Sequence, residues 1–313
     1  MNHQSELTTF AIITDPHLGL DESENGWKMH QHGEVLLRGH LRLALEGGAE
    51  FVLMPGDLTK DSEPWNHMAA RQILSEQPLP VFVLPGNHDV RKSELPAEAN
   101  WGIAKFAPFY QGFGPTGTHP YYSLDLKPSL RLIAINTADT PDESLVDTWG
   151  GRVDDEQLAW LDTELAASRG KRCIVMIHHN LLPHSRDDHE GTFWGHFLLQ
   201  NRNDVLSILE RHDVQLAFSG HHHVNNIARH GDLYEITTAG ATTYPCSHRF
   251  VTLGPDFVQT RTVNFPDEQV VSVALRELTE GPFHMPTGDR QELAAVFHGR
   301  PEGRDAKLAL RRI

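Results

Sequence analysis

Eight side chains able to bind metal or handle protons stand in five short blocks. They are Asp15 and His17 in TDPHLG, Asp57 in PGDLT, Asn87 and His88 in PGNHD, His178 in MIHHN, and His221 and His223 in SGHHH. A donor set of oxygen and imidazole without sulfur suits Mn, Fe, Zn or Co, with availability deciding which ion is bound. In an extended SGHHH segment residues 221 and 223 face one side and His222 the other, so His222 is a bystander. The 21 histidines in 313 residues are a further reason to look for metal. Each block alone says little, since a DxH is commonly a loop or cap, a GD a tight turn, and a buried histidine a hydrogen-bonded part of the core. Five blocks in one chain, each directly after an apolar run, would require five accidents to agree.

Those apolar runs are the elements that must position the site. Phe10 to Thr14, Phe51 to Met54 and Val81 to Leu84 read as buried strands with polar residues at their carboxyl ends. Between them, Val35, Leu36, Leu37, Leu41, Leu43 and Leu45 predict a helix ending near Gly47 and Gly48, and Trp65 to Leu74 predicts another. This alternation implies an α/β layer, in which the crevice beyond the strand ends gathers residues that are far apart in sequence. Tyr121 to Leu126 and Leu130 to Asn136 resemble a hairpin. Asp154 with Gln157 resembles a capping box ahead of Leu158, Leu161 and Leu165. Cys173 to Ile177, Val214 to Phe218 and Leu233 to Thr237 predict further strands, with a helical stretch around Phe197 to Leu209. From about His248 the pattern predicts strands at Phe250 to Leu253, Val258 to Val263 and Val270 to Leu275. A solvated or loosely packed tail is expected from Gly281 to Ile313, which divides the chain into a domain over 1–280 and a tail over 281–313.

Composition narrows the partners. With 27 basic against 42 acidic residues the formal charge is −15, a surface that repels nucleic acid polymers and anionic bilayers. Cys173 and Cys246 are too few for a disulfide framework and lack CxxC spacing. Met1 to Thr9 has neither the basic start nor the apolar stretch of a secretory signal, and the apolar runs elsewhere are of strand length. No membrane partner and a cytoplasmic location are therefore expected.

In order and spelling, the five blocks resemble the DxH, GD, GNH(D/E), strand-terminal His and GHxH pattern of the calcineurin-like metallophosphoesterase superfamily. The likeness covers residues 10 to 225. The GDLT and HH spellings, the length, and GRVDDEQLAWL over Gly151 to Leu161 are most similar to the class III cyclic-nucleotide and glycerophosphodiester phosphodiesterase branch. The resemblance implies a four-layer αββα sandwich of two mixed sheets flanked by helices, with the late strands completing the second sheet or forming a small cap. It implies two divalent or trivalent metal ions, one held by Asp15, His17, Asp57 and His223, the other by Asp57, Asn87, His178 and His221. Asp57 would bridge them, and His88 matches the family's catalytic histidine. His179 would support or pack against the ligands, and Asp89 would either fix a histidine tautomer or cap a turn.

The implied activity is hydrolysis of a small soluble phosphodiester by a metal-bridging hydroxide, since two ions lower the pKa of a shared water and clamp the phosphoryl oxygens. A phosphomonoesterase or other small-molecule phosphohydrolase, and a protein-binding scaffold that has lost hydrolysis, are the alternatives. The intact ligand set argues against the scaffold. Related enzymes are often dimers or larger, so a homo-oligomer is admitted as well. The chain departs from the branch after His179, where HHNLLPH replaces HHP or HHPP. The loop through His184, Arg186, Asp187, His189 and Trp194 could set substrate choice or be merely solvated. Trp27, His30, Trp65, His67 and Tyr244 could line a pocket or serve packing.

Overall fold

The computed structural model describes residues 7–22, 26–90, 99–138, 149–185, 188–189, 192, 194–282 and 289–312. Twelve strands are seen among them: β1 Thr8–Ile12, β2 Val52–Met54, β3 Val81–Val83, β4 Tyr122–Lys127, β5 Leu130–Ile135, β6 Arg172–Ile177, β7 Leu216–Ser219, β8 Asn226–His230, β9 Leu233–Thr237, β10 Ser247–Leu253, β11 Phe257–Asn264 and β12 Ala306–Ala309. They form two six-stranded sheets, ordered β12-β11-β10-β1-β2-β3 and β4-β5-β6-β7-β9-β8. Both are mixed: β1, β2 and β3 run parallel while β10 pairs antiparallel with β1, and β5, β6, β7 and β9 run parallel between antiparallel edges.

The period-two alternation of the strands explains the layering. Phe10 and Ile12 of β1 enter one buried cluster with Leu132, Ala134, Ile174, Met176 and Phe218 of the other sheet. Ala11 and Ile13, one residue out of phase, pack instead with Leu37, Leu41, Ala70 and Ile73. Those last four belong to helices α1 (Gly33–Glu46) and α2 (Pro64–Ser75). On the far side, Ile133, Ile135, Val175 and Ile177 meet Leu161, Leu165, Val205 and Leu209, from α3 (Asp155–Ala167) and α4 (Arg202–Arg211). The result is helices, sheet, sheet, helices, the expected αββα sandwich.

Asp154 caps α3 by accepting from the Gln157 amide at 2.7 Å. The Gln157 side chain does not reach back to close a capping box. Its Oε1 accepts from Asn136 N and its Nε2 donates to Asn136 O, both at 2.8 Å, which docks α3 onto the carboxyl end of β5.

The late chain differs from expectation in two places. Val270 to Leu275 is not a strand but part of α5 (Glu268–Thr279), started by Asp267, whose side chain accepts from the amides of Gln269 and Val270. Its valines pack with Met29 and Cys246, so an amphipathic face outweighs β-branched propensity. Gly281 to Ile313 is not a loose end where it is described. Helix α6 (Arg290–His298) buries Leu293, Ala294 and Phe297, and β12 pairs antiparallel with β11. The buried Arg249 guanidinium ties this segment down by donating to Arg304 O at 2.7 Å and Thr237 O at 3.0 Å. β10 and β11 extend the sheet of β1. No helix among the described residues is long and apolar enough to cross a membrane.

Candidate metal centre

The blocks named from sequence follow β1, β2, β3, β6 and β7, at the carboxyl ends of parallel strands. Sharp turns there are forced by unusual backbone. Asp15, His17, Asp57, His221 and His223 all have positive φ, at 52°, 39°, 52°, 65° and 56°. Non-glycine residues seldom adopt this region, and such strain gathers at functional sites. Gly56 and Gly86 allow the β2 and β3 turns to touch: a Cβ on Gly56 would stand 2.5 Å from His178 Nδ1, and one on Gly86 would stand 2.4 Å from Asp57 N.

Two groups of donor atoms converge. Asp15, His17, Asp57 and His223 each offer an atom within 4.8 Å of the others, and so do His178, His179 and His221. Asn87 joins the second group, with Oδ1 3.0 Å from His178 Nε2. Asp57 lies between them. Its Oδ2 is 3.5 Å from His17 Nε2 and its Oδ1 3.4 Å from His178 Nε2. All these residues are buried. The structure thus brings together the seven metal-ligand positions picked from sequence and adds His179 to them.

The donor set fits cations. His178 Nδ1 must donate to Pro55 O, 2.7 Å away, so its Nε2 carries a lone pair that faces the oxygens of Asn87 and Asp57. His221 Nε2 likewise donates to Trp149 O at 2.8 Å, leaving Nδ1 bare among the rings of His178 and His179. In the first group, the Nε2 atoms of His17 and His223 stand 3.3 Å apart, while His223 Nδ1 contacts Thr243 Oγ1 at 3.0 Å and His17 Nδ1 has no partner. Lone pairs and buried carboxylates aimed at common points are costly unless a positive charge sits there. Protons supply it poorly. Burial, followed by Lys28 and neighbouring histidines, holds His17 well below its ordinary pKa, and burial with His179 and His178 does the same for His221. Burial would raise the Asp57 pKa, yet His178, His88 and Lys28 bring it below the usual carboxylate range.

Around these groups, Asp15 is held by the Thr14 hydroxyl and by the His221 amide, 3.1 and 3.2 Å from its two oxygens. Asp89 does not fix a histidine tautomer. It accepts from the amides of Leu58, Thr59 and Gly86 and from the Thr59 hydroxyl, all within 3.0 Å, and so straps the β2 and β3 turns together. His88 N donates to Asp57 Oδ1 at 2.8 Å. Its Nδ1 is engaged by Lys60 O and, at 3.1 Å, Asp61 Oδ1, and its Nε2 by Lys28 Nζ at 2.8 Å. Lys28 was not legible as a site residue, since nothing in its spacing ties it to the five blocks.

Of the proposed pocket aromatics, Trp27 and His30 lie against His223 and His17, with ring centroids at 5.3 and 5.7 Å. His67 is a core residue between Tyr110 OH and Ser62 Oγ, Trp65 contacts Asp21, and Tyr244 stacks on His298. Asn180, the departure in HHNLLPH, is a buried brace donating to Ser219 and Thr237 hydroxyls. His184 turns inward to Thr237 and Glu235. Trp194 lies 5.7 Å from the His222 ring. Arg186 and Asp187 lie outside the described residues.

A sandwich with candidate metal ligands at its strand ends is the architecture of a phosphoesterase class, and the family model for calcineurin-like phosphoesterases matches residues 8–225. The chain belongs to that family. Among curated relatives it is 26% identical over 173 residues to a glycerophosphodiester phosphodiesterase of Enterobacter lignolyticus, covering 55% of each chain. It is 24% identical over 214 residues to a probable cyclic nucleotide phosphodiesterase of Coxiella burnetii, covering 68% of this chain and 75% of that one. It is also 22% identical to the 3',5'-cyclic adenosine monophosphate phosphodiesterase of Escherichia coli K12, covering 67% and 68%. A dimetal phosphatase from Danio rerio shares the fold at a TM-score of 0.65 and 18% identity, over 82% of this chain and 99% of that one.

Proposed function

We propose that the protein is a dinuclear metal-dependent phosphodiesterase acting on small soluble diesters of the cyclic-nucleotide or glycerophosphodiester type. The observation that carries this reading is Asp57, with one carboxylate oxygen turned to each donor group. Asp15, His17, Asp57 and His223 would hold one ion, and Asp57, Asn87, His178 and His221 the other, with His179 beside the second. Bound ions would supply Lewis acidity that makes water nucleophilic near neutral pH and neutralises phosphoryl charge.

The chain's own residues do the rest. The backbone amide of His88 orients Asp57, Thr243 and Pro55 orient the rings of His223 and His178, and His88 faces the site from the β3 turn. The diester preference rests on the relatives' names. A small substrate follows from the net charge of −15, which repels long polyanions. Cytoplasmic residence is part of the same proposal, consistent with two unpaired cysteines.

The test is metal analysis of the purified protein with turnover of bis-p-nitrophenyl phosphate against p-nitrophenyl phosphate, before and after chelation. Diester turnover that chelator abolishes and metal restores is expected. Preference for the monoester would favour a phosphomonoesterase. Full turnover by the metal-free protein would overturn the metal mechanism.

A further inference from the structure

A cavity of about 780 Å³ lies between the loop after β6 and helix α6, with the segment joining β7 to β8 at its base. It is not the metal centre. None of the seven ligand positions lines it, and neither does His88. Its charge is one-sided. Among the described residues that line it, Asp188, Asp289, Glu292 and Glu302 bring carboxylates, and Arg300 is the sole lysine or arginine. Four carboxylates against one guanidinium leave a formal charge of −3, histidines aside. Asp188 is buried and accepts from the amides of His184 and Ser185 at 2.7 and 2.9 Å and from the Ser185 hydroxyl at 2.6 Å, neutral donors that place its charge without cancelling it.

Apolar surface is interleaved with these acids. Leu293, Ala295 and Val296 of α6 and the ring of Trp194 line the same space. Asp289, Glu292 and Val296 follow at i, i+3 and i+7, so one helical face carries both kinds of group. At the base stands His222, only 3% exposed. Neither of its ring nitrogens has a hydrogen-bond partner, and Asp188 Oδ2, 3.3 Å from Nδ1, lacks the geometry to provide one. A buried polar ring left in this state is costly, and a polar ligand seated in the cavity relieves it.

We propose that this cavity is a second ligand site, separate from the metal centre, for an aliphatic polyamine. Its ammonium groups meet the carboxylates, and Trp194 offers an aromatic face to one of them. The methylene segments between the ammoniums run along Leu293, Ala295 and Val296. A bare metal cation would leave that apolar wall unused, and an anion would be repelled. The volume falls within the roughly 300–1,000 Å³ of pockets that enclose organic ligands.

Calorimetric titration of the full, metal-loaded chain with spermidine, at low salt and free of excess ions, tests the site. One spermidine per chain is expected, with affinity falling as salt rises. The diol 1,8-octanediol, which has a methylene chain without the charge, should not bind. Glu292→Gln/Glu302→Gln should weaken spermidine about 10-fold. Ala295→Trp, which fills the cavity and leaves every charge in place, should weaken it at least as much. Glu46→Gln, on α1 and outside the cavity, should leave the affinity unchanged. Asp188→Asn removes the buried charge at the base and should also weaken binding. Thermal midpoints are measured alongside, and if Asp188→Asn unfolds the loop the other variants carry the comparison. Absence of saturable binding, affinity that survives Ala295→Trp, or equal competition by magnesium would overturn the site in favour of diffuse attraction to an acidic surface. Turnover of bis-p-nitrophenyl phosphate is read separately, so failure here and failure of the phosphodiesterase reading are distinguishable.

Discussion

Among the described residues, buried histidines touch through their ring nitrogens at two places that invite comparison. His40 and His248 meet through Nδ1 atoms 3.0 Å apart, and His17 and His223 through Nε2 atoms 3.3 Å apart. The surroundings separate them. His40 donates from Nε2 to Ala241 O, which leaves its Nδ1 to accept from His248, and phenyl rings of Phe265 and Phe250 pack around the two at 5.2 Å. A choice of tautomer satisfies that contact, and although His248 Nε2 has no partner, no carboxylate among the described residues acts on either ring. Around His17 and His223 stand the carboxylates of Asp57 and Asp15, each 3.5 Å from a ring nitrogen. Burial alone does not mark a ligand. Several buried imidazoles converging on shared buried carboxylates do, because gathering that many acceptor atoms at one point is costly without a positive charge there.

The largest break in this contrast should come from Asp57→Ala, which removes the one group shared by both donor sets. We expect loss of bound metal from both positions and turnover reduced to background, read by elemental analysis and diester hydrolysis on the same preparation. Thr243→Val sharpens the contrast at smaller cost. It removes the hydroxyl beside His223 Nδ1 while leaving every donor in place, and should weaken metal affinity by about 10- to 100-fold, as measured by competition with a chelator.

The satisfied histidines should respond to pH in stability. Burial holds His40 at about 4 and His67 at about 3, against an ordinary 6.5. The unfolded chain takes up these protons near pH 6.5 and the folded chain does not. Their stabilisation is therefore complete above that pH and is lost progressively as pH falls toward 4 and below. For His40 alone the loss is on the order of 3 kcal/mol. Urea unfolding of the metal-free protein across this range should show stability falling with pH. A flat profile would mean that both rings are protonated as easily when folded as when unfolded.

The site was more legible in the sequence than the late chain, for physical reasons. Strand-end blocks such as PGD and PGNHD are local. A run of apolar residues fixes the strand, and glycine fixes the close turn, so Asp57 and Asn87 could be picked without knowing what they meet. Lys28 could not. Its placement over Trp27 and against His88 depends on how the loop after β1 folds onto the β3 turn, a contact 60 residues apart with no periodic signal. Asp89 was readable as either tautomer holder or cap, and its three backbone donors decide for the strap. VVSVAL, Val270 to Leu275, reads by its β-branched residues as a strand. It is helical because Asp267 caps it and its apolar face finds Met29 and Cys246, neither of which a local reading can supply. The Gly- and Pro-rich tail misled in the same way, since Phe297 is buried beside Val224 and Leu278 despite the composition around it.

The central claim is that two cations share Asp57. Native mass spectrometry of the protein reconstituted with Mn or Zn and freed of excess ions tests it most directly. The account predicts two ions per chain in the parent protein. A single ion or none under saturating metal, with diester hydrolysis intact, would contradict it.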